Sequence, residues 1–379
     1  MDILNWLYLA KNKFVRTTLG SGKDLMIFGA KVGTSKRGDI YQNYAMSAED
    51  FLSGVNPVWG GITGNINAQT DLQAEFATKQ NLIAHLEWND TEKTVWNNGK
   101  GNDGSNLSFG ASAFGNNVSG INNTAIGNSA LFTNTVGVRN TGIGGAALYN
   151  NLSNDNTALG YYTLFTNSSG NTNTAIGSQA LRNNSTGSGN VGIGYFSLYT
   201  NLSANNNTAV GAYSLRNNTT GGSNTAIGNS ALNNNSTGSY NVGLGTSTLL
   251  INSTGSYNIA IGNGALYSNT VSYNTAIGYN SMFYNSTGNS NVALGYNSLS
   301  NNTTGSSNTA IGYTALYAGA TTSNNTAVGS QALSNTTGNN NTGVGANSLV
   351  SNSTGYSNVA IGTSSLNYNS GGYQNVAIG

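Results

Sequence analysis

From residue 106 to the end of the chain, a short apolar phrase of the form Asn-Thr-Ala-Ile-Gly returns every 16 or 17 residues, and polar stretches rich in Asn, Ser, Thr and Gly separate its copies. Its glycines run Gly110, Gly127, Gly144, Gly160 and onward to Gly362 and Gly379; of the sixteen intervals, three are 16 residues long and thirteen are 17. A fixed short period marks a solenoid, in which each repeat is one coil stacked on the next. From Thr124 on, the position three before the glycine is β-branched (Thr124, Thr141, Thr157, Thr174, Val191), and the position one before is aliphatic (Ile126, Ile143, Leu159, Ile176, Ile193). Residues two apart share one face of a strand, and the free exchange of Thr for Val and Ile predicts that this face points inward. Four residues after the glycine comes leucine, with Met282 as the one sulfur substitute, and a small residue such as Ala130, Thr163 or Ser197 precedes it. Each coil is thus expected to hold two short strands and about three apolar contacts. The expected core includes Ile126, Leu131, Ile176, Leu181, Ile227, Leu232, Ile261 and Leu266. The phrase glycine would form a permissive corner between the strands, and a second glycine ten residues later (Gly187, Gly238, Gly305) would mark the opposite turn.

Ahead of the repeats the pattern changes twice. Residues 1–60 hold most of the Lys, Arg and Met, with an apolar run Leu25–Phe28 that predicts a buried strand and a helix-capping signal at Ser47–Asp50. This predicts a small α+β unit; the opening MDILNWLYLAKNKF is read as structured rather than as a signal peptide. Residues 61–105 form a linker that opens on the Gly-rich Gly60–Gly64 joint and carries one predicted helix, about 71–87. Thr70 and Gln73 make its capping box. Leu72, Phe76, Ile83 and Leu86 fall at coiled-coil spacing, with Lys79 the weak position, so the helix would set the register of three chains. Residues 106–379 are the repeat shaft.

Composition sharpens this picture. Only 7% of residues are charged, against roughly 25% in a typical soluble domain, and the chain has 52 glycines and one proline, Pro57. After Asp103 the only charged side chains are Arg139, Asp155, Arg182 and Arg216. The polar surface is therefore expected to be built from Asn, Ser, Thr and Gly. A formal net charge of +1 with no basic patch speaks against nucleic acid as a partner. Without cysteine there are no disulfides and no thiolate metal sites. No stretch approaches the roughly 20 apolar residues of a membrane helix, so no membrane insertion is expected. A coil this thin buries little alone and needs its neighbours, and association of chains would add to the core. At about 4.8 Å per coil the sixteen intervals predict a rod of roughly 77 Å.

Candidate chemistry is sparse. Gly20-Ser21-Gly22-Lys23 resembles part of a phosphate loop, but Thr17 stands where its first glycine belongs and Asp24 replaces the Ser or Thr, so it is read as a plain turn. His85 is the only histidine, and Glu75, Glu87 and Glu92 all lie outside the repeats. Nothing there pairs a nucleophile with a base or two carboxylates with each other, so neither an enzyme nor a cofactor or metal site is expected. The many Asn-x-Ser/Thr triplets, such as Asn184-Ser185-Thr186, are read as polar turns without glycans. Tyrosines recur near the turns, and Tyr149, Tyr199, Tyr267 and Tyr317 are candidate glycan contacts, with packing between coils as the other reading.

The phrases Asn190-Val191-Gly192-Ile193-Gly194 and Asn375-Val376-Ala377-Ile378-Gly379 resemble the head repeats of trimeric autotransporter adhesins, and the resemblance covers residues 106–379. It implies a left-handed parallel β-roll in a homotrimer, with different turn loops because the family repeat is shorter. Trp59–Gly64 followed by Gln69–Gln73 resembles a linker common in bacteriophage tail fibres. Together these resemblances imply a tail fibre that is part of the virion and extracellular. Residues 1–60 would attach to the phage tail or baseplate, and the trimeric β-roll would project toward a glycan or protein of the host cell surface. A bacterial cell-surface trimeric adhesin is the alternative, and an ice-binding β-solenoid a more distant one, since an inward Thr column could not meet ice. The repeat breaks off in mid-unit at Gly379, which would leave an open strand edge, so a continuation is expected.

Overall fold

The computed structural model describes residues 105–379 throughout and, before them, the backbone of five strands: Thr17–Leu19 (β1), Lys23–Ser35 (β2), Gly38–Ser47 (β3), Glu87–Asn89 (β4) and Thr94–Trp96 (β5). The chain divides into two units, Met1–Trp88 and Asn89–Gly379. In the first, β1, β2 and β3 form an antiparallel sheet in which Leu19 faces Lys23 and Leu25 faces Ser47, with a register shift between Lys31 and Gly33. The apolar run Leu25–Phe28 lies within β2. Lys23 opens a strand, whereas a phosphate loop leads its lysine into a helix. Leu72, Phe76, Ile83, Leu86 and His85 lie outside the described residues. Glu87 and Trp88, at the end of the expected helix, are strand rather than helix. Trp88, a large aromatic residue, suits an extended backbone.

The second unit is a parallel β-solenoid. Seventeen three-residue strands, one for each copy of the phrase, run from Leu107–Phe109 (β6) to Val376–Ile378 (β22). Each pairs in parallel with the strand of the next coil and never slips: Thr225 faces Val242, Ala226 faces Gly243, and Ile227 faces Leu244. The 16- and 17-residue intervals keep one register, so the shorter coils take up their missing residue in the polar half.

The strands face the opposite way from the sequence expectation. The middle residue of each points inward: Ala125, Ala175 and Ala226 are fully buried. Ile126, Ile176 and Ile261 lie half-buried on the outer face, and Ile227 is exposed. Thr124 and its successors share that outer face. The cause is space. A Cβ added to the inward Gly243 would lie 2.9 Å from the Thr248 hydroxyl and 3.3 Å from a methyl of Leu232, so the interior takes only a small residue in that column: Gly, Ala or, in β6, Ser108. Leu131, Leu181, Leu232 and Leu266 fill what remains and are fully buried.

No second strand follows the phrase glycine. That segment is a run of turns in which Ser129 (φ 56°) and Leu131 (φ 52°) are left-handed, and every later coil repeats the alternation. A left-handed leucine costs on the order of 1–2 kcal/mol. Neighbouring coils offset this by satisfying its backbone: Leu131 donates its N–H to Ala147 O at 2.9 Å, and Ser129 donates to Ala111 O at 2.8 Å. The phrase glycine is required for two reasons. Gly127 has φ +128°, and a Cβ there would sit 2.6 Å from Gly144 O.

The other half of the interior is polar, and it holds two ladders of buried asparagine. The residue four before the phrase glycine is Asn in all seventeen copies, buried from Asn106 to Asn358. A second Asn lies seven after it in most coils, as at Asn134, Asn218 and Asn235. Where both ladders are continuous, their amides are satisfied. Asn224 and Asn235 each donate an amide N–H to Gly238 O at 2.8 Å. Asn224 Oδ1 accepts from the backbone N–H of Asn241 at 2.9 Å, and Asn235 Oδ1 accepts from Asn252 Nδ2 at 2.8 Å. The expected turn glycine is thus mainly a carbonyl on which two amides converge.

The second ladder breaks where Gly319 and Thr336 replace Asn. Asn302 Oδ1 and Thr336 Oγ1 are buried there without a partner. Thr336 lies in a 16-residue coil, and in the two others of that length the equivalent Asn151 and Asn269 donate to Ser153 O and Val271 O. Thr336→Asn is therefore expected to stabilise the solenoid by about 1 kcal/mol, read from the urea midpoint. An unchanged or lowered midpoint would show that this coil does not follow the other two.

Candidate interaction faces of the solenoid

Two features face solvent in a repeating way. The first is the outer face of the strand ladder, where a column of Thr, Val and one Ile and a column of Ile, Leu and Val lie side by side from β7 (Thr124–Ile126) to β22. Leu159, Ile227, Ile259, Val292, Leu294 and Ile361 are each at least 40% exposed. Among the described residues no charged side chain lies on this face, since the four charges of the solenoid all sit in other columns.

The second feature is a set of aromatic columns. Rings one coil apart stack because the coil spacing falls in the range of centroid distances that offset-stacked rings adopt. Tyr240, Tyr257 and Tyr273 stack with centroids 5.0 and 5.4 Å apart and planes 8° and 3° from parallel. Tyr279, Tyr296 and Tyr313 form a second stack, at 5.2 and 5.5 Å. The candidate contacts Tyr149, Tyr199, Tyr267 and Tyr317 all fall five residues after a phrase glycine, so they share one column. The structure does not gather them into one site, because several coils separate one from the next. Tyr149 is sandwiched between Phe132 and Phe165, and Tyr267 stacks on Phe283 at 4.7 Å. Tyr317 is exposed. Tyr199 packs on Phe196 at 4.6 Å, and its hydroxyl accepts from Arg182 Nη1 at 3.0 Å.

The arginines belong to the same column. Arg182 follows Phe165, and Arg216 follows Tyr199, each one coil further on. The Arg182 guanidinium lies 5.1 Å from the Tyr162 centroid and 5.9 Å from those of Phe165 and Tyr199. Arg216 lies 5.3 Å from Phe196 and 5.5 Å from Tyr213. Sequence reasoning noted these cations but not that they share the tyrosine column; counting residues from each phrase glycine is the signal that finds it. The remaining pair is closed on itself. Arg139 and Asp155 form a two-pronged ion pair at 2.6 and 2.9 Å, whose hydrogen bond holds the Asp155 carboxyl below, and the Arg139 guanidinium above, its usual range. Tyr162, hydrogen-bonded to Tyr161, pushes the Tyr161 phenol up.

Asn184, Asn235, Asn252 and Asn285, which open Asn-x-Ser/Thr triplets, are fully buried ladder members, so their amides are closed to glycosylation in the folded chain. Among the described residues no cluster of three or more His, Cys, Asp or Glu could hold a metal ion, and no helix is long and apolar enough to cross a membrane. No family model matches the chain, and no curated protein or solved structure is significantly similar to it.

Proposed function

We propose that the chain is a bacteriophage tail fibre protein, a non-enzymatic, extracellular component of the virion. Three copies associate into a left-handed β-roll shaft. Residues 1–60 mount it on the tail or baseplate, and the shaft projects toward a glycan or protein of the host cell surface. The observation that carries this proposal is the aliphatic outer face of the strand ladder. An exposed, uncharged row of Ile, Leu and Val repeated over the sixteen strands β7–β22 is the surface a second and third copy would cover. The absence of charge supports the same occupant: an identical chain brings no like-charge repulsion to the contact. The resemblance to tail-fibre linkers at Trp59–Gln73 and to adhesin head repeats supports the assignment as a fibre. Antibodies raised against the chain should decorate the tails of purified virions in electron micrographs. Decoration of the envelope of uninfected cells instead would select the bacterial adhesin.

One observation favours a second use of the same face. The Thr column points outward rather than inward, so it could meet an ice lattice. Val191, Val242, Ile259, Val292 and Val359 interrupt it, which weakens the match. Thermal hysteresis of the purified chain decides the point.

A further inference from the structure

We infer that Arg182, Tyr199 and Arg216 form a binding site for an anionic glycan, one whose acidic groups recur along the chain at about the two-coil spacing. Within residues 105–379 there are three cations and one acid, and Arg139 takes the acid at 2.6 Å. Arg182 and Arg216 are left without a carboxylate. Arg182 Nη1 meets only neutral oxygens, Gln179 Oε1 at 3.2 Å and the Tyr199 hydroxyl at 3.0 Å. The Nε atoms of both arginines are buried without a partner. The faces of both guanidiniums are already occupied by rings, Tyr162, Phe165 and Tyr199 around one and Phe196 and Tyr213 around the other. Ring contact holds a guanidinium in place without neutralising it; Nη2 of Arg182 and both Nη atoms of Arg216 remain as donors for a carboxylate or sulfate.

The spacing defines the ligand. Arg182 and Arg216 occupy the same column two coils apart, roughly 10 Å along the solenoid, with the Tyr199 ring between them. The Tyr199 hydroxyl, accepting from Arg182 Nη1, fixes the first cation, so that acidic groups two coils apart on one ligand reach both arginines. Two cations are too few to hold a long nucleic acid by its phosphates. The site lies on the turn segment of the coil, outside the strand ladder, so covering the ladder does not require covering the arginines. It gives the host-surface contact a ligand class and rests on the fibre proposal only for its setting. Binding in solution and assembly also fail separately, because one needs the arginines and the other the aliphatic face.

The test uses the full chain and isothermal titration with three probes of equal length: a polyuronate oligosaccharide, a sulfated oligosaccharide and a neutral one. Binding of either acidic probe at least ten times tighter than the neutral one, weakening several-fold between 50 and 300 mM salt, is the expected result; which acidic probe wins distinguishes carboxylate from sulfate. Arg182→Gln with Arg216→Gln should remove that binding while the circular dichroism spectrum stays unchanged. Equal binding of neutral and acidic probes, no binding of either acidic probe, or full affinity in a folded double variant would overturn the site. Single-stranded DNA, which also stacks on rings beside arginines, bound tighter than every glycan would overturn it as well.

Discussion

Asn241→Asp is expected to cost the solenoid about 3–5 kcal/mol at neutral pH and to return to within about 1 kcal/mol of the parent below pH 4. In the parent, Asn241 Nδ2 donates to Gly255 O at 2.8 Å, and its Oδ1 accepts from the backbone and the amide of Asn258 at 3.0 and 3.1 Å. An ionised carboxylate keeps the two acceptor contacts but sets a negative oxygen against the Gly255 carbonyl in a fully buried site. Protonated, its O–H replaces the lost amide donor. Burial and the facing carbonyl therefore raise the folded pKa above the unfolded value of about 3.9. A raised folded pKa means that the variant's stability is fully present below the unfolded pKa and is lost as pH rises through the folded one. Urea midpoints of variant and parent, compared at matched pH, give the difference directly. A variant as stable as the parent at pH 7, or one whose deficit is the same at both pH values, would mean the amide ladder is not buried as described.

Lysine on the outer ladder is expected to act in the opposite place, on assembly and not on the coil. Ile227 and Leu294 are each 43% exposed in the single chain, so Ile227→Lys and Leu294→Lys can send their ammonium groups to water at little cost to the fold. In a trimer closed over this face the double variant would bury six ammonium groups without partners, at several kcal/mol per ion. Loss of assembly with an unchanged circular dichroism spectrum is the expected outcome. Retained assembly would place the contact between chains on another face.

Much of this solenoid was legible in the chain. The period gave the number of coils, the phrase gave the strand, and the leucine four residues after nearly every glycine gave a core position, as Leu131 and Leu232 show. Pairing the two columns that flank the middle residue on one face was also sound, because side chains two apart in a strand point the same way. Which way they point was not legible, because hydrophobicity ranks Ile126 above Ala125 while the interior has room only for Ala125. The asparagines misled for a related reason. Polar residues are ordinarily outside, but a stack that presents one carbonyl per coil can satisfy a buried amide ladder. The signal was present: Asn holds the position four before the glycine in every copy, while neighbouring polar positions drift among Ser, Thr, Gly and Tyr. A surface residue has no reason to be so constant within one chain. The left-handed leucines had no sequence signal, since only the hydrogen bonds of neighbouring coils make them tolerable.

The central claim is that three chains cover one another's aliphatic ladders. The measurement that tests it most directly is the mass of the purified full chain in solution at micromolar concentration, by light scattering. The account predicts three times the mass of one chain, falling to one for the Ile227→Lys, Leu294→Lys double variant. A parent chain that stays monomeric with its solenoid spectrum intact would contradict it, because each coil would then be stable with its outer isoleucines and leucines facing water.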